Sequence, residues 1–116
     1  MPTVRYLVAG LGRIGRLHAE ILKTRVPNAE LVAVCDVIES LAKKVGEELR
    51  VRAYTDYDKA LRDENVDAVV IATPTFLHKD MSIRALESGK HVFLEKPLAP
   101  NLEDAKRSLG MLKRRS

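Results

Sequence analysis

The chain has 116 residues, 46% of them hydrophobic and 31% charged, with a net charge of +4. That length suits one packed domain over residues 1–116, and a single cysteine excludes an internal disulfide framework. No apolar run approaches the roughly 20 residues of a membrane span and no signal-peptide pattern opens the chain, so a cytoplasmic protein without a membrane partner is expected. Much of the positive excess sits in Lys106, Arg107, Lys113, Arg114 and Arg115, where cations complement the dipole at the end of a helix. With three tyrosines and two phenylalanines as the only aromatics, base stacking has little to work with, and nucleic acid is not expected as a partner.

In chain order, Val4 to Ala9 reads as a strand, Gly10-Leu11-Gly12-Arg13-Ile14-Gly15 as a glycine-rich turn into a helix, and Leu31 to Cys35 as a second strand ending at Asp36. That succession is what the diphosphate and ribose of a dinucleotide require of a backbone. Gly10 permits the tight turn, Gly12 lets the main chain approach a pyrophosphate, and Gly15 lets the helix lie close to the strand. The helix N-terminus offers free amides and partial positive charge to the anion, and Asp36 can accept hydrogen bonds from the adenosine ribose hydroxyls. Arg13, Ile14 and Val37 join these residues as candidate contacts to NAD. The residues after Asp36 are Val37, Ile38, Glu39 and Ser40, without a cation to clamp a 2′-phosphate, so NAD is expected over NADP.

The first helix carries Ile14, Leu17, His18, Ile21 and Leu22 at helical spacing. His18 reads as a packing residue and Cys35 as a small core residue, and no group of residues has metal-ligand spacing. A second helix turns Ile38, Leu41, Ala42, Val45 and Leu49 inward, Val51 to Tyr54 forms a third strand, and Thr55 caps a short third helix. Asp67 to Ala72 contains an unbroken β-branched run suited to the centre of a parallel sheet. A helix over 77–88 ends before Gly89, His91 to Leu94 forms a fifth strand, and a last helix begins at Asn101 with Leu102, Ala105, Leu109 and Leu112 on one face. Right-handed crossovers then give an α/β fold of three layers, a Rossmann-type doubly wound parallel sheet of strand order 3-2-1-4-5.

Two proline-bearing clusters fall at strand ends, where ligands sit in such sheets: Thr73-Pro74 with His78, and Glu95-Lys96-Pro97. Pro74 restricts Thr73 to extended geometry, so that its hydroxyl and carbonyl are expected to face the crevice, and Pro97 constrains Lys96 in the same way. An ammonium beside a cofactor can orient a substrate oxygen or share its proton.

Taken together, the glycine turn, His18, Asp36, Thr73-Pro74 with His78, and Glu95-Lys96-Pro97 resemble the Gfo/Idh/MocA family of oxidoreductases, and within it the inositol 2-dehydrogenase type. The resemblance implies an NAD-binding domain of an enzyme that moves hydride between a sugar or polyol and NAD. It implies that Lys96 touches the reacting hydroxyl and that Glu95 and Pro97 lie near the nicotinamide, while Thr73, Pro74 and His78 belong to the cofactor side. Family members continue into a substrate domain that supplies an Asp and a His, so Lys96 is expected to lack its catalytic partners and a truncated, excised or redesigned half to be inactive alone.

Three readings follow for the isolated chain: a nucleotide-binding module, an enzyme that completes its site across an oligomer, and a structural module with weak or no cofactor binding. The edge of the fifth strand is a candidate surface for a homodimer.

Overall fold

The β-branched run near the middle of the chain becomes the buried centre of a parallel sheet, as its composition requires. The computed structural model describes residues 3–94. Within them, β1 is Val4–Ala9, α1 Arg13–Thr24, β2 Ala29–Cys35, α2 Glu39–Leu49, β3 Arg52–Tyr54, α3 Tyr57–Asp63, β4 Ala68–Ile71, α4 His78–Glu87 and β5 His91–Leu94. A single 3-10 turn, Thr75–Leu77, leads into α4. The strands lie in the order β3-β2-β1-β4-β5, all pairs parallel. The expected strand order is therefore found, whereas the predicted last helix with Leu102, Ala105, Leu109 and Leu112 lies outside the described residues.

Every residue of β4 is buried, because helices cover both faces of a parallel sheet. One apolar layer gathers Leu7, Ala33, Val69, Ile71 and Val92 with residues of α3 and α4. The other gathers Val8, Leu31, Val34 and Val70 with Ala19 of α1 and Ala42 and Val45 of α2. Each fully buried Val, Leu or Ile contributes about 1.5–3 kcal/mol relative to exposure, so these two layers hold the strand ends in register.

Several helix faces differ from the periodic expectation. In α1 the buried positions are Gly15 and Ala19, while Ile14 is 36% and Leu17 50% exposed. The helix approaches the sheet so closely that only small side chains fit beneath it. A Cβ on Gly15 would stand 1.7 Å from the Gly10 carbonyl oxygen. Ile38 precedes α2 at its N-cap and is 56% exposed instead of turned inward, since the chain has not yet entered the helix. The cap of α3 is Asp56 and not Thr55: the Asp56 carboxylate accepts from the Lys59 amide at 3.2 Å. A carboxylate at that position also complements the helix dipole, which a hydroxyl does not.

Candidate nucleotide groove at the carboxyl ends of the strands

The site begins at the turn after β1. Gly10 sits at φ +93°, a conformation L side chains rarely adopt, and a Cβ there would meet the Ala72 carbonyl carbon at 2.6 Å. Its amide donates to the Cys35 carbonyl at 2.8 Å, while the Ala72 amide donates to the Ala9 carbonyl at 2.8 Å. Continuous pairing of this kind brings the ends of β1, β2 and β4 together. Gly12 differs from its neighbours: it has φ −66° and ψ −171°, and nothing lies within 4 Å of where its Cβ would be. Gly10 and Gly15 are therefore required by the protein's own packing, whereas the space beside Gly12 faces the groove.

The first helical bond of α1 runs from the Arg16 amide to the Gly12 carbonyl at 2.9 Å. The amides of Arg13, Ile14 and Gly15 precede it and stand outside the helix's own ladder. No acidic residue occupies the first turn, so the positive end of the dipole is not offset locally. Such an end holds an anion.

Asp36 stands just past β2 and is pinned at both oxygens. One carboxylate oxygen accepts from the Leu11 amide at 2.8 Å and the other from the Ile38 amide at 2.9 Å. An ionised carboxylate has about four acceptor positions, so two remain for hydroxyl donors. The link from Asp36 to Leu11 also ties the end of β2 to the glycine turn.

Across the groove, the sequence expectation for Thr73 is corrected. Its hydroxyl and carbonyl do not simply face the crevice: the carbonyl is 2.7 Å from His78 Nε2 and the hydroxyl donates to the Met81 sulfur at 3.3 Å. A carbonyl can only accept, so Nε2 carries the ring proton in this contact. The 3-10 turn folds His78 back over the loop, where it is 7% exposed. It supports Thr73 and Pro74 from behind, whereas Thr73 and Pro74 themselves line the groove.

The groove has a cavity volume of about 790 Å³ and is lined by Gly10, Gly12, Arg13, Ile14, Gly15, Asp36, Val37, Thr73 and Pro74 together with residues the sequence reasoning missed. That volume lies within the range of roughly 300–1,000 Å³ common for small-molecule sites. The missed wall comes from α3 and α4: Tyr57, Phe76, Leu77, Asp80, Met81 and Arg84. The Tyr57 hydroxyl donates to the Met81 carbonyl at 2.9 Å and joins the two helices. Arg84 pairs with Asp58 at 2.8 Å and with Asp80 at 3.0 Å along the rim. Only the Asp80 to Arg84 spacing of four could have signalled this wall in the sequence.

Cys35 also reaches the groove floor, and burial pushes its thiol up to about 12, with the Asp36 and Asp56 charges acting in the same direction. It is a protonated packing residue at neutral pH, as its place at the end of an apolar strand suggested. Burial likewise pushes the Tyr57 phenol well above its ordinary value. His18 lies in a separate apolar depression with Tyr6, Ile21, Leu22, Val70 and Phe93. Among the described residues no cluster of three or more His, Cys, Asp or Glu could hold a metal ion, and no helix is long and apolar enough to cross a membrane. Glu95, Lys96 and Pro97 lie outside the described residues.

The donor set, the open space at Gly12 and the free acceptor positions of Asp36 fit a dinucleotide with its diphosphate at α1 and its adenosine ribose at β2. Comparison with known proteins supports dinucleotide binding. Residues 4–116 match the family model described as an oxidoreductase family with an NAD-binding Rossmann fold. The chain is 47% identical over 104 residues to the scyllo-inositol 2-dehydrogenase (NAD(+)) of Bacillus subtilis, covering 89% of this chain and 30% of that protein. It is 42% identical over 112 residues to the myo-inositol 2-dehydrogenase of Thermotoga maritima, covering 96% of this chain and 33% of the relative. A crystal structure of scyllo-inositol dehydrogenase from Lactobacillus casei, with bound NAD(H) and scyllo-inositol, superposes with a TM-score of 0.78 at 31% identity over 97% of this chain and 33% of that one. The chain thus spans about a third of the length of the curated relatives it matches.

Proposed function

The chain belongs to the Gfo/Idh/MocA oxidoreductase family, whose NAD-binding Rossmann fold it forms, and on that footing we propose that residues 1–116 are the cofactor domain of an enzyme oxidising a polyol of the inositol type. The observation that carries this reading is the joint placement of Gly12 and Asp36. Open backbone at Gly12 admits the diphosphate to the amides of α1, and the two spare acceptor positions of Asp36 take the ribose hydroxyls.

Bound NAD supplies the hydride acceptor for such a reaction. The residues of this chain bind and orient. Gly12, Arg13, Ile14 and Gly15 hold the diphosphate, Asp36 and Val37 hold the adenosine end, and Thr73 and Pro74, supported by His78, form the opposite wall. Lys96, with Glu95 and Pro97 beside it, would hold the reacting hydroxyl and share its proton, a role carried over from the family motif. Positioning supplies much of the rate in hydride transfer.

Calorimetric titration of the 116-residue chain with NAD and with NADP tests the reading. Asp36 makes a charged hydrogen bond to ribose worth about 1.5–3 kcal/mol, whereas a 2′-phosphate meets like charge, so NAD binds more tightly. Absence of NAD binding, or tighter NADP binding, refutes it.

A homodimer through β5 belongs to the same reading, because β5 pairs with β4 alone among the described strands and an open edge recruits a second strand. Light scattering after size exclusion checks this: a strictly monomeric mass near 13.0 kDa at high micromolar concentration contradicts it. The single buried thiol of Cys35 fits a reducing, cytoplasmic setting.

A further inference from the structure

β3 is shorter than the strand it pairs with. In β2, Ala33, Val34 and Cys35 pair with Arg52, Ala53 and Tyr54 of β3, whereas Ala29, Glu30 and Leu31 pair with β1 alone. Among the described residues the β3 side of β2 is therefore open from Ala29 to Val32, about 13 Å of strand. A cavity of about 400 Å³ lies against this open stretch. It sits at the amino ends of the strands, at the opposite end of the sheet from the nucleotide groove.

Four cations line this notch, Arg5, Lys23, Arg50 and Arg52, against two carboxylates, Glu30 and Glu64. Both carboxylates are already engaged: Glu30 accepts from Arg5 at 2.8 Å, and Glu64 accepts from the Tyr54 hydroxyl at 3.0 Å and lies 3.6 Å from Arg52. The cations reach the notch from both faces of the sheet. Lys23 stands in the last turn of α1 on one face, while Arg5 and Arg52 meet Asn65 and Glu64, which follow α3 on the other. Arg50 follows α2 at φ 57° and ψ 47°, a position that glycine usually fills, so the turn does not need its guanidinium. Cations along an open edge discourage most strands from pairing and admit one of opposite charge.

We propose that the open edge of β2 takes an extended acidic peptide as an added strand. The peptide main chain pairs with Ala29 to Val32 beside the start of β3, over about four residues. Its side chains alternate between the two faces and carry carboxylates to Lys23 and Arg50 or to Arg5 and Arg52. The inference is independent of the NAD reading, since no residue of the notch lines the groove.

Fluorescence anisotropy with the full chain tests this. The probes are a fluorescein-labelled peptide of four glutamates flanked by valines, the same peptide with its amides N-methylated, and a counterpart with lysines in place of the glutamates. The glutamate peptide binds, the lysine peptide does not, and N-methylation, which removes strand pairing but keeps the charge, weakens binding by about tenfold. Combining Lys23→Gln with Arg50→Gly also weakens the glutamate peptide by about tenfold. The melting temperature of that variant does not fall, because both side chains are exposed and glycine suits the turn after α2. Hydrogen exchange locates the peptide: amides between residues 29 and 32 gain protection and those of β5 do not. Equal binding of the N-methylated or the lysine peptide overturns the proposal, as does binding that the double variant leaves unchanged. Protection at residues 91–94 in place of 29–32, or no binding by the parent chain, overturns it as well.

Discussion

Replacing each glycine of the turn in separate variants should divide folding from binding. In Gly12→Val the new side chain enters open space on a backbone of φ −66° and ψ −171°, which any residue adopts. The fold loses only the small advantage of glycine over valine at the N-cap of α1, about 1 kcal/mol, or roughly 5 °C in melting temperature. On the proposed placement, the isopropyl group nevertheless stands where the diphosphate would approach the amides of α1. In Gly15→Ala the Cβ meets the Gly10 carbonyl oxygen at 1.7 Å and the Ala72 Cβ at 3.2 Å. Backbone has to move, and the loss is about 3 kcal/mol or more even after the gain of about 1 kcal/mol from alanine in a helix. Gly10→Ala combines a φ of +93° with a 2.6 Å approach to Ala72 and belongs with Gly15→Ala.

Thermal melts with and without NAD read both effects at once. At a hundred times its dissociation constant, NAD stabilises a binding-competent chain by about 2.7 kcal/mol. The parent chain shows that shift. Gly12→Val melts slightly lower and shows none, and Gly15→Ala melts much lower. A Gly12→Val chain as unstable as Gly15→Ala, or one that NAD stabilises as it does the parent, refutes the division of roles.

Two further perturbations address the groove's support. The Cys35 thiol has its pKa raised from 9.0 to about 12, so the unfolded chain loses this proton first as pH rises; stability is retained below pH 9 and declines by up to about 1.4 kcal/mol per pH unit between 9 and 12. Urea melts across that range should show the decline, smaller in Cys35→Ala than in the parent, and an identical slope in both would contradict it. His78→Ala leaves the Thr73 carbonyl without its donor and opens space in a buried position, at a combined loss of about 2–4 kcal/mol. Denaturant unfolding measures this, and a change below about 0.5 kcal/mol would mean that His78 does not hold the loop.

The strands were legible in the sequence because their signal is local. Val69-Val70-Ile71 and Leu31 to Cys35 are apolar runs that a parallel sheet buries on both faces, and handed crossovers then leave one strand order. The helix faces were less legible. Hydrophobic periodicity assumes that large side chains mark the inner face, whereas α1 touches the sheet through Gly15 and Ala19 and leaves Leu17 half-exposed. The glycine motif did signal the close approach at Gly15, but glycine carries no hydrophobic signal, so periodicity alone placed Ile14 and Leu17 on the inner face. Thr73 was misread for a related reason: the partners of its hydroxyl and carbonyl come from the turn and helix that follow, and nothing in the Thr-Pro pair reveals that fold-back.

Asp36 shows why the groove is formed before any ligand arrives. Its carboxylate already accepts two main-chain amides, and one of them, from Leu11, lies inside the glycine turn. In the proposed placement, the acid that takes the ribose therefore also sets the turn proposed to receive the diphosphate. If the nucleotide binds as proposed, both of its halves meet a backbone held by one side chain, which lowers the ordering cost of binding. The same coupling governs how substitutions at this position should be understood. Removing the carboxylate frees the Leu11 and Ile38 amides and takes away the ribose acceptors together, so loss of NAD binding in such a variant does not isolate the ribose contact. Discrimination between NAD and NADP by the unaltered chain does isolate it, because the turn is then the same for both ligands and only the group facing Asp36 changes.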